Sequence, residues 1–223
     1  MNRLVVSNAG YCHCCDSSTT FDARGEYLRD HYFCTRCGSI PRQRALAHVL
    51  SKWIPDWIDR SIHESSPSVQ FLARRCRDYT VSQYFPDVPP GIVVDGVRCE
   101  NLEMLTFADN QFDRFITQDV MEHVFDPPAA FGEIMRVVKP GGIHLVTVPI
   151  SPYRADSECC ATKNGDTMCY LKEPNYHGNP IFEQGILVTW NTVATSRIVG
   201  AAGSDIRPAT SRSAIPISGS TAN

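Results

Sequence analysis

The segment from Phe107 to Gly142, FADNQFDRFITQDVMEHVFDPPAAFGEIMRVVKPGG, limits the fold more than any other part of the chain. Phe112 to Val120 has an acidic residue, Asp113, near its start and carries Phe115, Ile116 and Val120, the pattern of a buried parallel strand. Pro127 and Pro128 suit the first turn of a helix, where a missing N–H costs nothing. Ala130, Phe131, Ile134, Val137 and Val138 then recur at three- and four-residue spacing along one face. Lys139-Pro140-Gly141-Gly142 is expected to stop that helix, and Ile143 to Ile150 forms the next apolar run. Strand, helix and strand in this order predict a right-handed βαβ unit in an α/β fold of nucleotide-binding type.

A second signal stands at the amino terminus. Cys12 and Cys15 form one CxxC pair, Cys34 and Cys37 another. Two such knuckles offer four thiolates to one tetrahedral Zn²⁺, with a hairpin between them, so a small zinc ribbon is expected. Cys14 is an alternative in the first pair, with Cys15 preferred, and His13 and His31 are within reach. Gly38 suits the tight turn after the second knuckle. A structural staple is the heavier reading, recognition of an acceptor or partner the lighter one. Gln43 to Trp53 reads as an amphipathic helix that docks the ribbon. Arg42 and Arg44 at its start are candidates for an anionic group, although solvation is the commoner fate of such charges.

With its LTFADNQFD, MEHV and MRVVKPGG stretches, the chain resembles the class I S-adenosylmethionine-dependent methyltransferases, with weaker agreement over roughly Ile62 to Ile150. The resemblance implies a Rossmann-like, mostly parallel sheet, with the cofactor across the carboxyl ends of its strands. It places Glu64 at the end of the first strand, Arg60 to Glu64. The family's ExGxG turn is here Glu64-Ser65-Ser66-Pro67, so the Ser65 and Ser66 hydroxyls are expected to replace some main-chain donors. Ser-Ser-Pro-Ser is equally a helix cap. The second strand, Tyr79 to Tyr84, brings Gln83 to the ribose, an amide where an acid is usual. The third, Val97 to Asn101, brings Asn101 and Leu102 to the adenine, and Asn101 is as easily a turn residue. Thr117, Gln118, Asp119, Glu122 and His123 are expected to line the transfer cleft. Gln118 joins the cofactor contacts, and Asp119 and His123 are the catalytic candidates. In-line methyl transfer depends chiefly on alignment, so a base at His123 is optional, and Glu122 and His123 equally suit a helix start.

Three regions are thereby expected: a ribbon over 1–42, a methyltransferase-like domain over 43–190, and a low-complexity tail over 191–223. Ser151 to Asn179 is expected to be a lid, with Tyr176 and His177 on the acceptor wall. A second metal site from Cys159, Cys160, Cys169 and His177 is a weaker expectation. The family's closing C-terminal hairpin is not found in the sequence. Composition changes abruptly near Trp190, and one reading is an altered frame or domain end there. The incomplete sheet would leave an edge for homo-oligomer formation.

The 223 residues carry a net charge of −3, which offers no broad attraction to nucleic acid or anionic membranes, and no stretch is long enough to span a bilayer. With no leader evident and ten cysteines, a cytoplasmic, metal-binding chain is expected. The function read from these features is methyl transfer from S-adenosylmethionine to an unidentified small-molecule or sugar-linked acceptor. The alternative is a catalytically weak or inactive binding or scaffold protein of the same fold with structural zinc.

Overall fold

The structure, a computed structural model, describes residues 4–68, 70–150, 156–165, 167–178 and 183–192. The amino-terminal strands β1 (Leu4–Cys12), β2 (Ser17–Arg24) and β3 (Tyr32–Cys34) form an antiparallel sheet, with a single helical turn, α1 (Leu28–His31), before β3. The first cysteine knuckle is the turn between β1 and β2. Helix α2 (Pro41–Trp53) begins with proline at its first position and buries Leu46, Ala47 and Leu50. It starts two residues before the expected Gln43, so the boundary between ribbon and domain falls inside a continuous element.

The central sheet comprises β4 (Ser61–Ser65), β5 (Asp78–Gln83), β6 (Val93–Val94), β7 (Val97–Cys99), β8 (Phe112–Gln118) and β9 (Val138–Thr147). Helix α3 (Gln70–Arg75) links β4 to β5, and α4 (Pro127–Val137) links β8 to β9. The order is β6-β7-β5-β4-β8-β9, parallel except for the β6–β7 edge hairpin. The expected α/β architecture and the βαβ unit are both present.

The sheet separates two cores. On one face Ile62 and Ile116 pack with Leu46, Leu50, Trp57, Phe71 and Leu72 and extend into the ribbon through Phe21 and Cys34. On the other Phe112 and Phe115 pack with Ala130, Ile134 and Val137 of α4. The ribbon therefore shares a continuous apolar core with the domain. Arg44 secures the junction by donating to the Tyr32 carbonyl at 3.0 Å and lying over the Phe21 ring at 4.5 Å.

One expectation is corrected. Lys139–Gly142 does not form the stop between helix and strand: α4 ends at Val137, and β9 already begins at Val138. Phe112 pairs with Val138 and Arg114 with Ile143, so four residues bulge opposite Asp113. Gly141 takes φ +76°, and a Cβ on Gly142 would lie 2.8 Å from the Asp113 carbonyl. The two glycines thus permit the bulge.

Past β9, the expected lid holds short antiparallel pairs rather than plain loop. These are β10 (Glu158–Cys159) with β15 (Trp190–Asn191), β11 (Ala161–Asn164) with β12 (Thr167–Tyr170), and β13 (Tyr176–His177) with β14 (Ile186–Leu187). Residues 151–155 and 179–182 of that region, and the expected tail from 193 onward, lie outside the described residues. Among the described residues no helix is long and apolar enough to cross a membrane.

Two histidines sit in this sheet as neutral groups, His63 fully buried and His144 half-buried. His63 is hydrogen-bonded to the hydroxyls of Thr80 (2.8 Å) and Ser82 (2.9 Å), and His144 to that of Thr117 (2.9 Å). Burial lowers His63 to about 3, helped by Arg98, and lowers His144 to about 4. A folded-state pKa below the unfolded one means that the unfolded chain takes up the proton first. Stability should therefore fall as pH drops below the ordinary histidine value of 6.5, by about 1.4 kcal/mol per pH unit per group until the folded pKa is reached. Denaturant titrations between pH 7 and 4 should show this loss, and His144→Leu should make it shallower.

Candidate active site

A cleft of about 1240 Å³ lies at the carboxyl ends of the parallel strands. That exceeds an ordinary single-ligand pocket and leaves room for two molecules side by side. Ser65 at the end of β4 and Ser66 after it, Gln83 at the end of β5, Asn101 and Leu102 after β7, Gln118 at the end of β8, and Asp119 and His123 beyond it all line it. Most of the candidates are therefore gathered around one hollow; Glu64, Thr117 and Glu122, expected there too, are instead buried and do not line it.

Glu64 lies beneath the floor and is fully buried. Its carboxylate accepts from Tyr79 Oη at 2.5 Å and from Gln118 Nε2 at 2.9 Å, and more weakly from the Ser68 N–H at 3.4 Å. Burial raises its pKa, against the pull of these donors. Glu64 thus ties β4, β5 and β8 together under the cleft and holds the Gln118 amide. Gln118 Nε2 is used in that bond, whereas Gln118 Oε1 is buried without a partner among the described residues. A buried acceptor left empty at the wall of a cleft suits a ligand's donor.

The turn after β4 does without its glycines in an unexpected way. Ser66 adopts φ +54°, the left-handed conformation that glycine ordinarily supplies. Its N–H donates to the Ser82 carbonyl at 2.8 Å, which anchors the turn to β5. Asn101 serves its bland role as well, since its Oδ1 accepts from the Glu103 N–H at 3.0 Å. Gln83 is nearly buried, and its amide makes one long contact, 3.4 Å to the Tyr84 carbonyl.

Asp119 is not a free base. Arg29 Nη2 lies 2.5 Å and Arg42 Nε 3.2 Å from its Oδ2, and Thr147 Oγ1 donates to Oδ1 at 3.3 Å. Burial works against the charge on Arg29, and Asp119 more than offsets it, so that guanidinium is held above its ordinary pKa. Tyr27, Arg29, Asp30, Ile40 and Arg42 also line the cleft, so the ribbon supplies one of its walls. Sequence reasoning missed Arg29, and no local pattern marks a pairing across ninety positions.

His123 sits in a turn of 3₁₀ helix, Met121–His123. Its Nδ1 donates to the Leu187 carbonyl at 2.8 Å, which leaves Nε2 as the free acceptor, 3.8 Å from the Glu122 carboxylate. Burial lowers its pKa, with His177 in the same direction and Glu122 opposing. Tyr176 and His177 also line the cleft.

The four ribbon cysteines come together as anticipated, with Cys15 and not Cys14 in the group. Sγ separations of 3.7 Å for Cys12–Cys37 and 3.9 Å for Cys15–Cys34 match the ~3.8 Å edge of a tetrahedron with bonds of ~2.3 Å. The donor set therefore fits Zn²⁺. Gly38 has φ +72° and donates to the Cys34 carbonyl at 2.8 Å, closing the knuckle. His13 pairs with His48 at 2.9 Å, and His31 stacks on Phe33. Cys159, Cys160 and Cys169 do not gather with His177 among the described residues. All ten cysteines are unpaired.

Residues 69–146 match the family model described as a methyltransferase domain. This match supports an S-adenosylmethionine-dependent methyltransferase in the central part of the chain. No curated protein matches it. Similar solved structures include the YcgJ protein of Bacillus subtilis (18% identity, covering 48% of this chain and 52% of that one, TM-score 0.37). A SAM-dependent methyltransferase of Methanosarcina mazei is 13% identical, covering 64% and 98%, TM-score 0.35. The [4+2]-cyclase SpnF is 22% identical, covering 51% and 47%, TM-score 0.40. At these scores none of them bears on what this chain does. The chain spans about half the length of the first solved structures it matches.

Ser66→Gly should relieve the left-handed turn. A net gain of about 0.5–1 kcal/mol is expected, the larger glycine entropy offsetting part of the relief. Thermal melting should rise by a few degrees; an unchanged or lower melting temperature would show that the turn carries no strain.

Proposed function

We propose that the chain is a methyltransferase that binds S-adenosylmethionine across the carboxyl ends of β4, β5, β7 and β8 and transfers its methyl group to a small acceptor entering beside the ribbon. The observation that carries this reading is the gathering of Ser65, Ser66, Gln83, Asn101, Leu102 and Gln118 on one cleft within a methyltransferase-type domain. The bound cofactor supplies a sulfonium methyl, an electrophile that needs alignment more than covalent help.

The residues fit that group. Gln118 Oε1, buried and unpartnered, is an acceptor for the cofactor's ammonium. The left-handed turn at Ser66 allows the backbone to approach a ligand closely. Gln83 at the tip of β5 takes the ribose hydroxyls, and the Asn101 amide and the Leu102 N–H take the adenine edge. Glu64 acts from below by orienting Gln118 and touches no ligand itself. Asp119, neutralised by Arg29 and Arg42, holds the ribbon wall in place and thereby shapes the acceptor side. His123 lines the same side, held there by its Nδ1–H bond to the Leu187 carbonyl.

The ribbon cysteines hold structural Zn²⁺ in this reading, supported by their tetrahedral spacing. Free thiols throughout suit a reducing compartment such as the cytoplasm. The exposed Ile143 and Val146 on edge strand β9 support association of chains through that edge.

Titration calorimetry of the zinc-loaded chain with S-adenosylmethionine and S-adenosylhomocysteine should show one site per chain. Gln83→Ala should weaken it by about tenfold, the value of one or two hydrogen bonds. A folded sample that gives no heat at high ligand concentration would overturn the proposal and favour a scaffold protein of the same fold.

A further inference from the structure

Glu122 is a polar side chain that nothing in the methyl-transfer reading uses. It is 1% exposed, and both of its carboxylate oxygens lack a hydrogen-bond partner among the described residues. Leaving a buried carboxylate in that state is costly, and such groups ordinarily find a donor, a cation or a proton. What faces Glu122 Oε1 is a pair of imidazoles, His123 Nε2 at 3.8 Å and His177 Nδ1 at 3.7 Å. Those separations are too long for hydrogen bonds. They are close to the ~3.4–3.6 Å between neighbouring ligand atoms that share one cation through bonds of ~2.1 Å. All three ligand atoms lie within 4.8 Å of one another, and the imidazole rings are edge to face, 5.3 Å apart.

The surroundings hold these groups as ligands are held. The His123 Nδ1–H is bonded to the Leu187 carbonyl, so the tautomer that exposes the Nε2 lone pair is selected. Thr189 donates from its N–H (2.8 Å) and its Oγ1 (2.9 Å) to the Glu122 carbonyl, which clamps the turn carrying both Glu122 and His123. Leu187 belongs to β14, which pairs with His177 of β13. One short segment, 187–189, thus fastens the elements that bear all three side chains.

We propose that Glu122, His123 and His177 form a binding site for a divalent first-row transition cation, separate from the ribbon's thiolate site. Two imidazoles and one carboxylate select Zn²⁺, Co²⁺, Fe²⁺ or Mn²⁺ over Mg²⁺ or Ca²⁺. His123 and His177 both line the cleft, which connects the site to it. The site stands on these three residues alone and holds whether or not the reaction is methyl transfer.

The test uses the full chain with zinc in the ribbon, freed of weakly held metal on a chelating resin and titrated with Co²⁺ alone. Calorimetry gives the stoichiometry and visible absorption the ligand type. One equivalent of Co²⁺ should bind with d–d bands and no thiolate charge-transfer band. His177→Ala, a change on a partly exposed strand, and the isosteric Glu122→Gln should each weaken that equivalent at least tenfold while zinc content stays unchanged. Retained zinc and an unchanged circular dichroism spectrum establish that the variants fold. The proposal is overturned if wild type binds no Co²⁺, if Co²⁺ appears only with a thiolate band, or if binding survives both substitutions. Loss of binding in His13→Ala instead would assign the cobalt to the surface His13–His48 pair and overturn it equally.

Discussion

Two guanidinium groups from the ribbon, Arg29 and Arg42, converge on a single carboxylate, Asp119, at the carboxyl end of β8. Asp30 joins from the ribbon side by pairing with Arg42. Part-buried charges of this kind need one another, because each loses water that only the partner replaces. The consequence is architectural. The ribbon cannot sit elsewhere on the sheet without stranding Asp119, and in this position it becomes one wall of the cleft. The shared apolar core beneath, running from Phe21 and Cys34 to Ile62 and Ile116, gives the same placement a second, non-directional support.

A second polar assembly lies under the floor. Glu64, Tyr79, Gln118 and Ser68 join β4, β5, β8 and the turn after β4 through hydrogen bonds. Burying such a network costs free energy unless its members are satisfied, and all but Gln118 Oε1 have a partner. The unsatisfied atom belongs to a residue that lines the cleft. The same arrangement recurs at Glu122, whose carboxylate oxygens are both unpartnered and whose Oε1 lies between two histidines. In each case the fold leaves incomplete what a bound group could complete, while the polar atoms around it are accounted for.

Much of the fold was legible because parallel strands buried on both faces read as apolar runs: Phe112 to Gln118 and the α4 stripe stand almost where periodicity puts them. The cysteine knuckles were legible because metal spacing is a local property. Lys139–Gly142 was misread because a glycine pair permits a bulge as readily as a stop, and the sequence does not say which. The conformation of Ser66 was not foreseen, because a left-handed serine has no signature of its own. Asp119 looked like a catalytic acid until its two arginine partners, both distant in sequence, came into view. The region after Ile150 was expected to be loop because strands of two residues are too short to show alternation.

The central claim is that ribbon and sheet together enclose one ligand cleft. Hydrogen–deuterium exchange on the zinc-loaded chain, with and without S-adenosylhomocysteine, tests it most directly. Protection is predicted at once in the turn after β4, at the end of β5, around Gln118 to His123, and in the ribbon between Tyr27 and Arg42. Protection confined to the sheet, with the ribbon exchanging as in the free protein, would contradict it.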